Sequence, residues 1–333
     1  GRNFGSSGSV TIGGLPVSFT AGSSYSNTQI VAATPAGQGA GKAVIVETLG
    51  RSSNAVNFDY DAPQIANLTF SSAPTSGGTI LTLTGSNFGL SGSVSVGGKN
   101  APVISGGYSH TVITCTLPAG QGIDLPVVVS SALRSSNTLP FSYDAPVITD
   151  ISPASFPTSG GTTLTLTGHN FGLLNRVVTV GGQQITQFSS ASHTQIVCAL
   201  PPGQGSNVPV QVIVDGRLSA ASSIAYQPPV LDAITPASGP TAGGTRLTLT
   251  ASNFGVSPSV IIGGRNAPLA VAATHTMLQV DLPAGEGADQ AVVVTAGDQS
   301  SAVLDFDYQA PAITGISAAS FPTGGGTVIT LTG

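Results

Sequence analysis

The chain repeats itself about every 83 residues, and this period constrains the fold more than any other feature of the sequence. The tripeptide Asn-Phe-Gly begins at positions 3, 87, 170 and 253. A Pro-x-Gly-x-Gly motif begins with nearly the same spacing, at Pro35, Pro118, Pro201 and Pro283. Self-similarity at a fixed period is typical of arrays in which each repeat is one structural unit. The sequence therefore predicts a string of related domains rather than one large domain.

Each repeat has the pattern of an antiparallel β-sandwich. In Thr163–Thr167 threonine alternates with leucine, which predicts a strand with its leucines in the core and its threonines outside. Asp215-Gly216 is a strong tight-turn dipeptide, and no segment has a helical period. The other strands that we predict in this repeat span residues 147–151, 176–180, 194–200, 208–214 and 218–226. About seven short strands separated by turn signals are typical of a sandwich.

Short proline-containing joints connect the repeats. Tyr-Asp-Ala-Pro ends one repeat and starts the next at residues 60–63 and 143–146, and related joints stand at 226–229 and 308–311. Proline restricts its own φ and biases the preceding residue towards extended conformations. We therefore expect a linear, rod-like array. Its predicted units are a partial repeat at 1–62 that lacks its first two strands, full repeats at 63–145, 146–228 and 229–310, and the first two strands of a further repeat at 311–333.

The two partial repeats are complementary, since together they hold about the length of one repeat. Unpaired strand edges and half a core are unstable on their own. We therefore expect residues 311–333 to complete the domain of residues 1–62 in the next segment. Two versions stay open: a window of a longer covalent polypeptide, which we favour, and separate subunits that polymerise by strand donation.

The ordered motifs resemble the IPT/TIG family of immunoglobulin-like domains, and the resemblance covers the whole chain. In the repeat at 146–228 it rests on Pro146, Gly160, Gly161, Thr162, Leu164, Leu166, Gly168, Phe171, Gly172, Gly181, Gly182, Ile196, Cys198, Pro201, Gly203 and Gly205. The Phe-x-Tyr that ends the other repeats is Ile224-Ala225-Tyr226 in this one. The resemblance implies an all-β fold of tandem immunoglobulin-like β-sandwiches. Long arrays of this kind are similar to those of large cell-surface proteins.

Charge and hydropathy exclude two classes of function for this segment. Only 7% of the residues are charged, against about 25% in an ordinary domain, and the net charge is −5. Nucleic-acid binding needs a basic surface, which nine cations over four domains do not form. No apolar run is long enough for a transmembrane helix, so we expect no membrane span in this segment.

Two cysteines and three histidines recur at equivalent positions. Cys115 and Cys198 are 83 residues apart, so they cannot pair within one domain, and Ala32 and Val280 stand at their position in the other repeats. We therefore predict buried free thiols. The recurring histidines each precede threonine, and Asn27 replaces them in the first repeat, which predicts a turn-capping hydrogen bond rather than a metal site: His110, His193 and His275.

Acidic residues and a sequon are the remaining candidate sites. Carboxylates cluster at two joints and are weak candidates for calcium, because the ligands do not recur at every joint: Asp59, Asp61, Asp305 and Asp307. Solvated or turn-forming aspartates are the alternative. Asn67-Leu68-Thr69 is an N-glycosylation sequon.

The sequence therefore favours a structural role without catalysis or a cofactor, because no nucleophile, base and acid recur together. The expected role is a segment of an extended extracellular filament or cell-surface stalk. Its expected partners are identical repeats, other surface or matrix proteins, and glycans. An adhesin or ligand-binding module for a carbohydrate or receptor, or a spacer of a large surface protein, is the alternative.

Overall fold

The computed structural model describes all 333 residues and is built from strands alone. No helix of a length and hydropathy suited to crossing a bilayer is present. Residues 1–62 contain β1 (Ser9–Ile12), β2 (Leu15–Pro16), β3 (Ser24–Tyr25), β4 (Ile30–Val31), β5 (Lys42–Thr48), β6 (Arg51–Ser52) and β7 (Val56–Phe58). Residues 63–145 contain β8 (Gln64–Leu68), β9 (Ser72–Ala73), β10 (Ile80–Ser86), β11 (Ser93–Val96), β12 (Lys99–Ala101), β13 (Val103–Tyr108), β14 (Val112–Thr116), β15 (Leu125–Ser131), β16 (Arg134–Ser135) and β17 (Leu139–Tyr143).

The later repeats follow the same order. Residues 146–228 contain β18 (Val147–Ser152), β19 (Ser155–Phe156), β20 (Thr163–His169), β21 (Arg176–Val180), β22 (Gln183–Ile185), β23 (Ser190–Ala191), β24 (Gln195–Ala199), β25 (Val208–Val214), β26 (Arg217–Leu218) and β27 (Ser222–Tyr226). Residues 229–333 contain β28 (Val230–Thr235), β29 (Ser238–Gly239), β30 (Arg246–Ser252), β31 (Pro258–Ile262), β32 (Arg265–Asn266), β33 (Met277–Asp281), β34 (Gln290–Ala296), β35 (Gln299–Ser300), β36 (Leu304–Tyr308), β37 (Gly315–Ile316) and β38 (Leu331–Thr332).

Two sheets face each other in each full repeat. In residues 146–228 one sheet has the order β18-β20-β24-β23, and the other has the order β19-β27-β25-β21-β22 with β26 paired to β25. All pairs are antiparallel except β19 with β27, which is parallel. The first strand pairs through a bulge between Ile148 and Asp150, and bulges stand at the equivalent place in the flanking repeats. The predicted all-β sandwich is confirmed in this arrangement.

Each full repeat encloses its own hydrophobic core. The three core clusters lie within residues 65–143, 156–226 and 234–308, and none crosses a joint. The alternation in β20 places Leu164 and Leu166 fully inside, as predicted, and Phe171 of Asn-Phe-Gly is also 0% exposed. Because no core is shared, the hydrophobic stabilisation of each repeat is largely local.

Two strands predicted in residues 146–228 have the same bounds in the structure, 176–180 and 208–214. The prediction of one continuous strand at 218–226 is wrong. The segment is divided into β26 and β27 at Ser219. The Ser219 hydroxyl accepts a hydrogen bond from the Val212 N–H at 3.0 Å and donates to the Ala220 carbonyl at 2.8 Å. Serine side chains that bond to nearby backbone compete with ladder pairing, and this bond interrupts the pairing with β25 between β26 and β27.

The two terminal segments are less complete than the full repeats. Only Val10 and Ile12 are buried apolar side chains in residues 1–62. Residues 311–333 form a small hairpin of β37 and β38 with almost every residue exposed. No hydrogen bond joins this hairpin to residues 1–62. The sequence predicts that residues 311–333 complete the domain of residues 1–62 in the next segment. The exposed hairpin does not support this expectation, which stays a prediction.

Replacing the corner phenylalanine tests the local core. We expect Phe171→Ala to lower the free energy of unfolding of residues 146–228 by about 3–5 kcal/mol, because it leaves a cavity. Leu218→Ala, at a side chain that is 55% exposed, is expected to change it by less than about 0.5 kcal/mol. Native-state hydrogen exchange of the β25 amides measures both variants in the full chain. Equal losses for the two would contradict a core role for Phe171.

Candidate functional site

A tyrosine holds the Pro-x-Gly-x-Gly loop at the end of each repeat. The Tyr226 hydroxyl donates to the Pro201 carbonyl at 2.7 Å. A Cβ at Gly203 would lie 2.4 Å from the Tyr226 ring, so glycine is required where the ring covers the loop. The same bond joins Tyr60 to Pro35, Tyr143 to Pro118 and Tyr308 to Pro283. The loop is therefore a rigid feature at one end of every domain.

The Asn-Phe-Gly tripeptide forms a sharp corner at the other end of the domain. Asn170 and Gly172 both have left-handed backbone, with φ of 62° each, which asparagine and glycine adopt most readily. Between them Phe171 enters the core, and its N–H donates to the His193 carbonyl at 3.0 Å. The equivalent bonds are Phe4 to Asn27, Phe88 to His110 and Phe254 to His275. The corner and the histidine position therefore form one structural unit.

At the joints 60–63, 143–146 and 226–229 a glutamine of the loop reaches the corner of the next domain. The Gln121 Oε1 accepts hydrogen bonds from the Leu173 and Leu174 N–H groups at 2.8 and 2.9 Å. Its Nε2 donates to the Leu174 carbonyl at 2.5 Å. The two accepted bonds recur at the other joints, from Leu90 and Ser91 to Gln38 and from Val256 and Ser257 to Gln204.

A threonine beside the loop contacts the same corner. The Thr75 N–H donates to Asn170 Oδ1 at 3.2 Å, and the Thr75 hydroxyl lies 2.8 Å from His193 Nδ1. At the next joint Thr158 makes the same pair of contacts with Asn253 and His275, at 3.3 and 2.9 Å. Thr75 and His193, with Asn170, line a cleft of about 320 Å³ between the domains.

The histidines therefore have a different role from the predicted turn cap. Their carbonyls accept from the corner phenylalanine, while the rings of His193 and His275 contact the preceding domain. Burial, and then the positive charges of Arg176 and Lys99, lower the pKa of His193. The neutral ring can then accept a hydrogen bond at Nδ1 from the threonine hydroxyl. The interdomain glutamine was not anticipated from the sequence, although its recurrence as Gly-Gln-Gly was visible.

Comparison with known families agrees with the repeat. The sequence profile described as the IPT/TIG domain matches residues 1–60, 63–143, 146–227 and 229–308. The chain belongs to the IPT/TIG family.

The chain is similar to one curated relative and two solved structures. Human Fibrocystin-L is 29% identical over 296 residues, which cover 83% of this chain but 7% of Fibrocystin-L. The plexin A4 full extracellular region is 21% identical, with a TM-score of 0.27 over 71% of this chain and 23% of that one. The surface glycan-binding protein PbSGBP-B from Prevotella bryantii is 15% identical, with a TM-score of 0.33 over 48% of this chain and 40% of that one.

The cysteines of the IPT/TIG repeats lie in the cores. Cys115 on β14 and Cys198 on β24 are 0% and 1% exposed and form no disulfide. Burial raises the pKa of each thiol to about 11. A thiol with so high a pKa carries little thiolate near neutral pH and is a poor nucleophile.

The aspartates proposed for calcium act partly as loop caps. Asp59 Oδ1 accepts from the Gly41 N–H at 2.6 Å, and Asp307 Oδ1 accepts from the Asp289 N–H at 2.7 Å. Asp61 and Asp305 are exposed. No group of three or more His, Cys, Asp or Glu side chains lies within reach of one metal ion. The calcium site stays a prediction without a ligand set.

The sequon lies on a surface strand. Asn67 is exposed on β8, the edge strand of its sheet, and Thr69 is the hydroxyl residue of the motif. Its position leaves the side-chain amide accessible, and its glycosylation stays a prediction.

Thiol reactivity tests the burial of the cysteines. In the native chain at pH 8 we expect neither Cys115 nor Cys198 to react with a thiol-specific aromatic disulfide, because each is buried and protonated. In denaturant both are expected to react completely, as counted by absorbance. Fast reaction of either thiol in the native chain would contradict the buried position.

Acidification tests the His193 contact. Because the pKa of His193 is lowered in the folded chain, the unfolded chain binds more protons in the window just below the ordinary histidine value of 6.5. The contribution of the neutral ring to stability is therefore present above pH 6.5 and is lost as the pH falls through that window. We expect His193→Asn, which copies Asn27, to reduce the difference in unfolding free energy of residues 146–228 between pH 7.5 and pH 5.

The matched control is His169→Asn, since His169 is exposed and its ring makes no hydrogen bond. Hydrogen exchange measured at both pH values should retain the wild-type difference in this variant. If His193→Asn showed the same pH dependence of unfolding free energy as the wild type, the contact between the His193 ring and Thr75 would not be the cause of that dependence.

Proposed function

We propose that this chain is a non-catalytic structural segment of an extended extracellular filament or cell-surface stalk. One observation carries the proposal: the same loop-to-corner contact recurs at the joints 60–63, 143–146 and 226–229, through Gln38, Gln121 and Gln204. Domains that meet through equivalent atoms repeat one relative orientation. Each added domain then lengthens the array in the same direction.

The separate hydrophobic cores support a role as an extended spacer. Each full repeat has a closed core of its own, so adding a repeat adds length without changing the cores already present. The longest strands have seven residues, which at about 3.3 Å per residue span roughly 23 Å. Four such units in line, with their end loops, span on the order of 100 Å.

Placement outside the cell is part of the proposal. It draws on the resemblance of tandem IPT/TIG arrays to large surface proteins and on an exposed asparagine in a sequon, Asn67. Other surface or matrix proteins, and glycans contacted without specificity for one class, are the partners that such a location offers. The alternative function is ligand binding by a single repeat, and the glycan-array experiment below distinguishes it from a structural role.

Continuation from segment to segment is the finer part of the proposal. Ile313, Val328 and Leu331 are exposed apolar residues of the hairpin at 311–333. Asn137 holds the first strand of its domain by accepting from the Ile65 N–H at 2.7 Å and donating to its carbonyl at 3.0 Å. Asn54 occupies the equivalent position in residues 1–62, where Ile313 would take the place of Ile65. These features suit completion of 1–62 by 311–333 of another segment.

Electron microscopy tests the stalk. We expect the purified full chain to appear as a rod of about four domains, and antibodies against residues 63–310 to label intact cells at a distance from the membrane. In a glycan array we expect no specific binding by the full chain. Specific binding of one glycan class, or labelling confined to the cell interior, would contradict the proposal.

Analytical ultracentrifugation tests the continuation. We expect the full chain to associate as concentration rises, whereas a chain of residues 1–310 stays monomeric. Ile313→Asp in the full chain should weaken association, while Val230→Asp, at an exposed residue of β28, serves as the charge control. Equal sedimentation of the full chain and residues 1–310 at every concentration would exclude strand donation between subunits.

A further inference from the structure

We propose that the end face of a domain, formed by the turn that contains Thr75 or Thr158 together with the Pro-x-Gly-Gln loop of the same domain, is a specific docking surface. Its partner is the Asn-Phe-Gly corner of another IPT/TIG domain. The contact then determines the relative orientation of neighbouring domains, which the proline joint alone leaves partly free. This inference concerns binding between domains and stands whether or not the array serves as a stalk.

The two parts of the end face are held together within one domain. The Gly120 N–H donates to the Thr75 carbonyl at 3.0 Å, and the Gly203 N–H donates to the Thr158 carbonyl at 3.0 Å. Threonine and glutamine are therefore presented on one preformed surface. A preformed surface loses little conformational entropy when it binds.

The burial of the threonine depends on the neighbouring domain. Thr75 is 1% exposed and Thr158 is 0% exposed, and each faces the corner of the next domain. Thr241 has the same internal bond, from the Gly285 N–H at 2.9 Å, but it is exposed at the last full domain. This internal bond of the end face is thus present with and without a neighbour, and the neighbour supplies the burial.

A carboxamide matches the corner in both directions. Gln121 accepts from two successive N–H groups through Oε1 and donates to the Leu174 carbonyl through Nε2. An ionised carboxylate accepts hydrogen bonds but donates none. Glutamine therefore bonds both the N–H groups and the carbonyl of the corner, whereas a carboxylate at the same position would bond the N–H groups alone. Glu286 takes this position at the last full domain, where it is exposed.

The corner in turn is shaped to receive the glutamine. A Cβ at Gly172 would lie 2.5 Å from Gln121 Oε1, and one at Gly255 would lie 2.5 Å from Gln204 Oε1. At Gly89 the distance from a Cβ to Gln38 Oε1 would be 2.4 Å. The glycine of Asn-Phe-Gly thus supplies the left-handed turn and also the space for the side chain of the preceding domain.

The test compares two variants of the full chain with a matched control. Gln121→Ala removes the shared acceptor, and Gln121→Ala with Thr75→Val also removes the hydroxyl while keeping its shape. Gln184→Ala is the control, because Gln184 is exposed on β22 and its side chain makes no hydrogen bond. Amide exchange at Leu173 and Leu174 and residual dipolar couplings of residues 63–145 and 146–228 are measured by NMR.

We expect exchange at Leu173 and Leu174 to rise about tenfold in Gln121→Ala, because each amide loses a hydrogen-bond acceptor. In the double variant the alignment tensors of the two domains should differ, whereas they coincide in the wild type and in Gln184→Ala. Unchanged exchange at both amides, or coincident tensors in the double variant, would overturn the proposal. The stalk is tested by the location and length of the protein, and the docking surface by amide exchange and domain alignment. Either proposal can therefore fail without the other.

Discussion

The left-handed corner at Asn-Phe-Gly is the constraint on which both the domain and the array depend. Its phenylalanine is fully buried in every full repeat, so the corner is tied to the core. Its asparagine and glycine have positive φ, which few other residues tolerate. The same glycine leaves room for the glutamine of the preceding domain. One tripeptide thereby connects the interior of a domain to the geometry of its joint.

Domain autonomy and joint geometry are separate properties in this chain. Each full repeat has a core of its own, and no buried apolar cluster crosses a joint. The joints are polar and rely on hydrogen bonds of modest net free energy, about 0.5–1.5 kcal/mol each. Several such bonds at one joint restrict orientation without merging the two domains into a single cooperative unit. That combination suits an array whose length can change by whole repeats.

Sequence reasoning succeeded where side-chain alternation and turn residues act locally. The strands at 176–180 and 208–214 and the inward leucines of β20 follow from period-two patterning. It failed at 218–226, where the Ser219 hydroxyl bonds to β25 and divides the strand. It also assigned His193 to a local turn, although the partner of the ring is Thr75, 118 residues away. Local patterns contain no information about a partner at that separation.

The sequence by itself determined the repeat, the β-sandwich and the buried thiol positions at 115 and 198, because each follows from a periodic pattern. Its ordered motifs also resemble the IPT/TIG family, to which the chain belongs. Only the tertiary structure decided what the recurring Gln, Thr and His side chains do. Their partners belong to the next domain, and a joint brings together residues that are close in space but 52 to 118 positions apart in sequence. The contacts between domains therefore depend on how complete folded surfaces meet, which no local pattern records.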